Sequence, residues 1–189
     1  MEQLHIKITG TSPLMMHADT LANPLSPITK AHKELTAKRK KLESDHLAIA
    51  RSEFFASAYW SEADWFYLPG ANLDATFLGG AKLQKMGTHW KRGAFVLENR
   101  IPLKHKGPNT PEELWQNPSF VDCRGVKVGT SKLMRYRPIF MEWSASLTVT
   151  VNTDVLDLQE ARKAIEDGGA LIGTCEYRPR FGRFEVQYV

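Results

Sequence analysis

WSASLTVTV, residues 143 to 151, sets Leu147, Val149 and Val151 against Thr148 and Thr150. That period of two predicts a half-buried strand. After it, Asp157 and Glu160 have the spacing of a capping box before a helix that carries Leu158, Ala161 and Ile165, with Gly168 as its stop. The chain closes on a strand from Phe181 to Val189, in which Phe184, Val186 and Tyr188 alternate with Arg183, Glu185 and Gln187. Residues 143–189 thus read as strand, helix, glycine turn, strand.

The first half gives the same order around an insertion. Leu4, Ile6 and Ile8 alternate with His5, Lys7 and Thr9 up to the break at Gly10-Thr11-Ser12-Pro13. Pro69-Gly70 opens a helix over 71–85 with Leu73, Phe77 and Ala81 spaced by four, and residues 94–103 are strand-like. The Gly79-Gly80 pair inside that helix costs about 1 kcal/mol per glycine relative to alanine, so the sequence predicts a close approach there. Two split βαβ units make an α+β chain of ferredoxin-like (RRM-like) plan with insertions. One face of its antiparallel sheet is covered by helices, and the other face or its edge is free for a ligand.

Two stretches fall outside this plan. From Thr29 to about Ser57 the residues favour one helix, with Leu35, Leu42 and Ile49 every seven and a basic opposite face of Lys30, Lys33, Lys38, Arg39, Lys40 and Lys41. Residues 104–137 are irregular, with Gly107-Pro108, Pro111, Pro118 and a strand-like 120–128, and a section of this length points to function rather than mere connection. Ahead of the basic helix, Pro24 and Pro27 keep the chain in a loop. The aromatic-rich runs 54–60 and 64–68 fit either a short hairpin or a helix end followed by a strand.

At 189 residues and 42% hydrophobic the chain supports one sizeable core, hence a single domain with insertions over about 29–57 and 104–137. The absence of a leader pattern or long apolar run implies a cytoplasmic protein with no membrane partner. Cys123 and Cys175 form no CxxC pair and read as reduced thiols. With no P-loop and no HExxH, no cofactor and no metal are expected. The net charge of +4 is modest, but the basic residues cluster, at 38–41, 91–92, 104–106, 132–137 and 178–183, apart from the acids in 53–64, 112–113 and 154–167. Arg178, Arg180 and Arg183 follow the glycine-rich Gly168 to Gly173, where backbone can approach a ligand and guanidinium forks suit phosphate oxygens.

Three separated motifs give the chain a family likeness. IKITGTSPL (Ile6 to Leu14), Tyr67-Leu68-Pro69-Gly70-Ala71-Asn72-Leu73 and Arg180-Phe181-Gly182-Arg183-Phe184 resemble, in order and placement, the first strand, the entry to the first core helix and the glycine-rich loop of the RAMP superfamily. Those are ferredoxin-like proteins that form the guide-RNA-binding backbone of CRISPR effector complexes and include guide-processing ribonucleases. Ala71, Asn72 and Asp74 depart from the hydroxyls and lysine usual after Pro-Gly.

The resemblance implies a single RAMP-like domain that binds single-stranded RNA or DNA, RNA foremost, without sequence preference. It also implies a homo-oligomer in head-to-tail array, with other effector subunits as further partners. The residues assigned to nucleic acid are Lys38, Arg39, Lys40, Lys41, Trp90, Arg92, Lys132, Met134, Arg135, Tyr136, Arg137, Arg178, Arg180 and Arg183. Of these, Trp90, Tyr136 and Met134, with Leu133, are the stacking or wedging candidates. Alternatives are a metal-independent endoribonuclease and a single-stranded DNA-binding protein of a phage or mobile element. If the protein is an enzyme, His17 and Asp19 are the acid-base candidates.

Overall fold

The computed structural model describes residues 1–63 and 65–189. Asp64, which the sequence places in an acidic run and at the start of an aromatic one, lies outside the described residues. In chain order the elements are β1 (Glu2–Gly10), β2 (Leu14–Met15), α1 (Pro27–Ala37), α2 (Glu43–Ser57), β3 (Trp60–Ser61), β4 (Trp65–Pro69), α3 (Gly70–Leu83), α4 (Gly87–Gly93), β5 (Ala94–Val96), β6 (Arg100–Pro102), β7 (Lys104–His105), α5 (Pro111–Trp115), β8 (Val121–Val128), β9 (Ser131–Phe140), β10 (Trp143–Val151), α6 (Leu158–Asp167) and β11 (Phe184–Tyr188). Among the described residues no helix is long and apolar enough to cross a membrane.

The chain is α+β and divides into two compact units. One comprises Met1–Leu14, Ser61–Lys106 and Phe140–Val189, the other Met15–Trp60 and Gly107–Ile139. The sequence predicts one domain with two separate insertions; instead, most of both insertions falls in the second unit.

In the first unit β11, β1, β10 and β5 lie side by side in that order, all antiparallel, and β7 pairs with the far end of β10. Alternation holds along β1 and β11, but β10 is not half-buried as the sequence predicts, because Thr148 and Thr150 on its other side are buried as well. Leu4, Ile6, Ile8, Ala145, Leu147, Val149, Val151 and Phe184 are buried, whereas His5, Lys7, Thr9, Ser146, Glu185 and Gln187 are exposed. Helices α3 and α6 supply Leu73, Phe77, Ala81, Ala161, Ala164 and Ile165 to the core, with the Phe77 ring edge-on to Phe184 at 6.3 Å. Each Leu, Ile or Phe buried this fully contributes about 1.5–3 kcal/mol.

Gly80 answers the sequence's question about a close approach. A Cβ there would stand 2.1 Å from the Ala164 carbonyl oxygen, so the glycine lets α3 press directly on α6 rather than on a ligand. One boundary differs from expectation. The strand expected over 94–103 is two pieces, β5 paired with β10 and β6 paired with β4. Gly168 caps α6 where the sequence predicts its stop, and the chain then continues through a separate π-turn, Gly168–Ile172, to Gly173, whose φ is 77°.

In the second unit the single basic helix proves to be two. Lys38 is extended, and α2 restarts after Leu42, whose backbone N–H donates to Asp45 Oδ2 at 3.0 Å. Lys38 Nζ holds the other carboxylate oxygen at 2.5 Å. The heptad stripe therefore fails at its middle member: Leu42 is 72% exposed, and Leu35 and Ile49 are half-buried. The expected irregular section contains α5 and a long hairpin of β8 and β9, register Val121↔Pro138 to Val128↔Ser131. Phe54 of α2 packs on Trp115 at 5.2 Å, and Trp115 on Tyr136 at 6.1 Å.

Candidate nucleic-acid interface

The C-terminal loop is held by the three segments that carry the family likeness. At its base the Thr174 N–H donates to the Gly182 carbonyl at 2.9 Å, and the Gly182 N–H donates to the Pro13 carbonyl at 2.8 Å. Arg183 N–H donates to Ser12 Oγ at 2.9 Å, and its carbonyl accepts from Thr11 N–H at 2.9 Å and Ser12 N–H at 3.3 Å. From α3, the Thr76 hydroxyl donates to the Gly173 carbonyl at 2.9 Å, and Asn72 Nδ2 reaches Cys175 Sγ at 3.6 Å. Gly182 has φ 72°, and a Cβ there would lie 1.9 Å from the Thr174 carbonyl oxygen, so only glycine fits.

Within this frame Cys175 and Tyr177 also adopt left-handed backbone, φ 61° and 63°, a conformation that surrounding structure must over-determine. The result is a tip whose Tyr177, Arg178, Pro179 and Arg180 are all exposed. Beside it lies a concavity of about 600 Å³ lined by residues including Leu171, Ile172, Tyr177 and Arg178. The tip presents two guanidinium groups and the Tyr177 ring, which packs on Phe181 at 5.7 Å, beside a concavity that Glu176 also lines, and guanidinium groups next to a ring suit phosphates and a stacked base. Arg183 differs: its Nε donates to the Pro179 carbonyl at 2.6 Å, which makes it a brace inside the loop. Burial pushes the Cys175 thiol up to about 11, so it stays protonated and serves packing.

The departures from the family motif have structural uses. Asn72 ties α3 to the loop, as above. Asp74 Oδ1 accepts the Val96 N–H at 2.9 Å, and burial raises its carboxyl above the usual range against the pull of that hydrogen bond.

Several residues assigned from sequence belong elsewhere. Trp90 is 2% exposed and stands edge-on to Phe77 at 5.8 Å, so it is a core residue and no stacking platform. Arg92, two residues on, is exposed on α4. In the second unit, Arg137 is 3% exposed with Nη1 3.7 Å from Met15 Sδ, which removes it from any phosphate. Arg135 is ion-paired with the buried Glu53, whose other oxygen accepts the Tyr136 N–H at 3.2 Å. A hydrogen bond with Cys123 raises the Tyr136 phenol above its ordinary value, and partial burial adds to the shift.

What remains available in the hairpin is the tip side of β9, with Lys132 exposed, Leu133 46% exposed and Met134 54% exposed. Lys38 to Lys41 sit in the turn between α1 and α2 instead of along a helix face. Lys38 is committed to Asp45, Lys41 Nζ donates to the Lys38 carbonyl at 2.6 Å, and Arg39 and Lys40 are exposed.

His17 and Asp19 are both exposed. The His17 carbonyl accepts from Tyr59 Oη at 3.1 Å, and the Asp19 carbonyl from Ala22 N–H at 2.8 Å. Among the described residues no group of three His, Cys, Asp or Glu side chains is placed to hold a metal ion. The sequence reading missed Tyr177, although an aromatic residue directly before Arg-Pro-Arg was signal enough. It also left Lys7 as merely the polar half of an alternation. No protein-family model and no curated protein matches the chain.

Proposed function

We propose that the chain is a ferredoxin-like protein of the RAMP type that binds single-stranded nucleic acid, RNA foremost, in the cytoplasm and without sequence preference. The observation that carries this reading is the convergence on one loop. The first and third sequence motifs are hydrogen-bonded together there, Asn72 of the second reaches Cys175 in the same loop, and the loop exposes Tyr177, Arg178 and Arg180. The strand order β11-β1-β10-β5, with α3 following β1 and α6 following β10, supports the ferredoxin-like assignment.

The contacts available are backbone contacts. Guanidinium and ammonium groups meet phosphates, and aromatic or apolar side chains stack on bases of any kind. Arg178 and Arg180 take phosphates in the first unit, as do Arg39, Lys40 and Lys132 in the second, with Met134 and Leu133 wedging between bases. One such site gives weak, salt-sensitive binding, so the working form is a row of subunits in head-to-tail contact along one strand.

The test is whether the purified protein carries nuclease-sensitive material seen in its ultraviolet absorbance, and whether particles grow with strand length in light scattering. A nucleic-acid-free protein that binds no strand at low salt would defeat the reading. Discrete one-to-one complexes at every strand length would defeat the array.

A further inference from the structure

A second basic feature lies on the outward face of the first unit's sheet, away from the loop's own hydrogen bonds. β1, β10 and β7 run side by side there, and the register sets Thr9 opposite Ser144 and Ser144 opposite Lys104. Period-two alternation brings Lys7 to the same face of β1. A concavity of about 370 Å³ opens over this row, lined by Lys7, Thr9, Lys104, Lys106, Glu142 and Ser144 among others.

The charges in it do not cancel. Lys106 Nζ is 2.6 Å from Glu142 Oε2, and both are largely exposed, so that pair is locally neutral. Lys7 and Lys104 are left as two exposed ammonium groups flanking two hydroxyls. Glu185, the partner of Thr9 on β11, is outside the lining and bounds the positive region on that side. His105 also borders the concavity, but its ring packs edge-on to Phe66 and tilted against Phe140, and burial lowers its pKa, so it adds no charge at neutral pH.

Two ammonium donors around a pair of hydroxyls match the donor needs of a tetrahedral oxyanion. The cations supply charge-assisted hydrogen bonds, and Thr9 and Ser144 can turn their O–H groups to the remaining oxygens. A groove of this size and openness has room for a phosphate group with the chain attached to it.

We propose that this concavity is a phosphate-binding site. Resting on the function proposed above, it takes a backbone phosphate of the bound single strand, so that the strand meets the first unit at two places, the loop and the sheet face. A free nucleotide carries the same chemistry, and the experiment separates the two sources.

The variant is Lys7→Ala with Lys104→Ala; both side chains are exposed, and Lys7→Arg with Lys104→Arg serves as the charge-retaining control. Fluorescence anisotropy with a labelled oligouridylate is expected to show about tenfold weaker binding for the alanine pair. The slope of log affinity against log salt should shrink by roughly 1.4, two contacts' worth for a single strand, and the arginine pair should stay near wild type. Unchanged affinity and slope in a folded alanine variant, while the wild type binds the strand, would overturn the sheet-face site and leave the proposed function standing.

If the wild type binds no strand, that function falls and inorganic pyrophosphate decides the site by amide-shift titration. Shifts centred on Lys7, Thr9, Lys104 and Ser144 that vanish in the alanine pair would support a free-phosphate ligand. No shifts there would overturn the site.

Discussion

Arg178-Pro179-Arg180 and Arg135-Tyr136-Arg137 look alike in sequence, two arginines one residue apart beside a ring, and they come to opposite ends. In β9 the extended backbone sets Arg135 and Arg137 two apart; Arg137 is buried, and Arg135 is paired with the buried Glu53. In the C-terminal loop no sheet face exists to receive them, and left-handed backbone at Cys175 and Tyr177 keeps both guanidinium groups in water. The lesson is that the count of arginines says little about phosphate binding. What lies across from each one decides whether its donors are already used.

The sharpest way to break this comparison is Arg135→Ala. Glu53 is 5% exposed, and removing its partner leaves a buried carboxylate with only the Tyr136 N–H. The expected loss is about 3 kcal/mol, the low end for a broken buried pair because Arg135 keeps some contact with water. Urea denaturation reads it, and strand affinity per folded molecule should not move. A loss under about 1 kcal/mol, or a fall in affinity with stability intact, would place Arg135 with the loop arginines.

The same contrast explains what could be read from sequence. β1, α3, α6 and β11 were legible because each buries one regular set of apolar residues, and period follows burial; β10 was legible from its apolar set although Thr148 and Thr150 are buried as well. The break between α1 and α2 was not, since Lys38, Arg39, Lys40 and Lys41 are all good helix formers. The break becomes intelligible only once Asp45 is seen to cap Leu42 and hold Lys38, which spares four like charges from crowding one helical turn.

β8 was legible as the strand-like 120–128, but β9 and the hairpin it makes were hidden by their own pairing. Arg124 faces Arg135 and Lys127 faces Lys132, juxtapositions that cost stability unless neutralised. Asp122 and Glu53 neutralise the first of these, from positions the local sequence does not point to. Trp90, assigned as a stacking candidate, shows a related effect: its neighbours Lys91 and Arg92 are exposed, while on the helix they point away from the side that Trp90 buries. The frame of the loop was legible as three motifs, but not their meeting.

Arg178→Ala with Arg180→Ala probes the exposed side of the comparison. Both residues are in solvent, so stability should hold within about 0.5 kcal/mol. Affinity for unrelated strands should fall by about tenfold alike, and the salt slope should lose roughly 1.4. Equal affinity for all strands with an unaltered slope would remove the loop from the site. A loss confined to one sequence would mean base readout in place of phosphate contact.

His105 sharpens the comparison at its smallest scale, because it is a cation-forming group that can discard its charge where an arginine cannot. Its ring is 5.5 Å from Phe66 and 4.7 Å from Phe140, and its Nδ1 is buried with no hydrogen-bond partner among the described residues. Burial therefore lowers its pKa below the usual 6.5. In the window between the two values the unfolded chain holds the proton and the folded protein does not, so stability rises with pH there. From neutral pH downward, the loss begins as pH passes about 6.5 and ends once the folded form is protonated too. Glu142, Lys104 and Lys106 border the same concavity, but the Lys106–Glu142 pair is exposed and contributes little of its own. His105→Phe keeps a ring against Phe66 and Phe140 and removes the titration. Urea midpoints of wild type and variant, followed from about pH 7.5 down to about pH 5.5, should diverge as pH falls, with the wild type losing more. Parallel curves would show that His105 is as well solvated as the loop arginines, and that burial in this core does not decide charge.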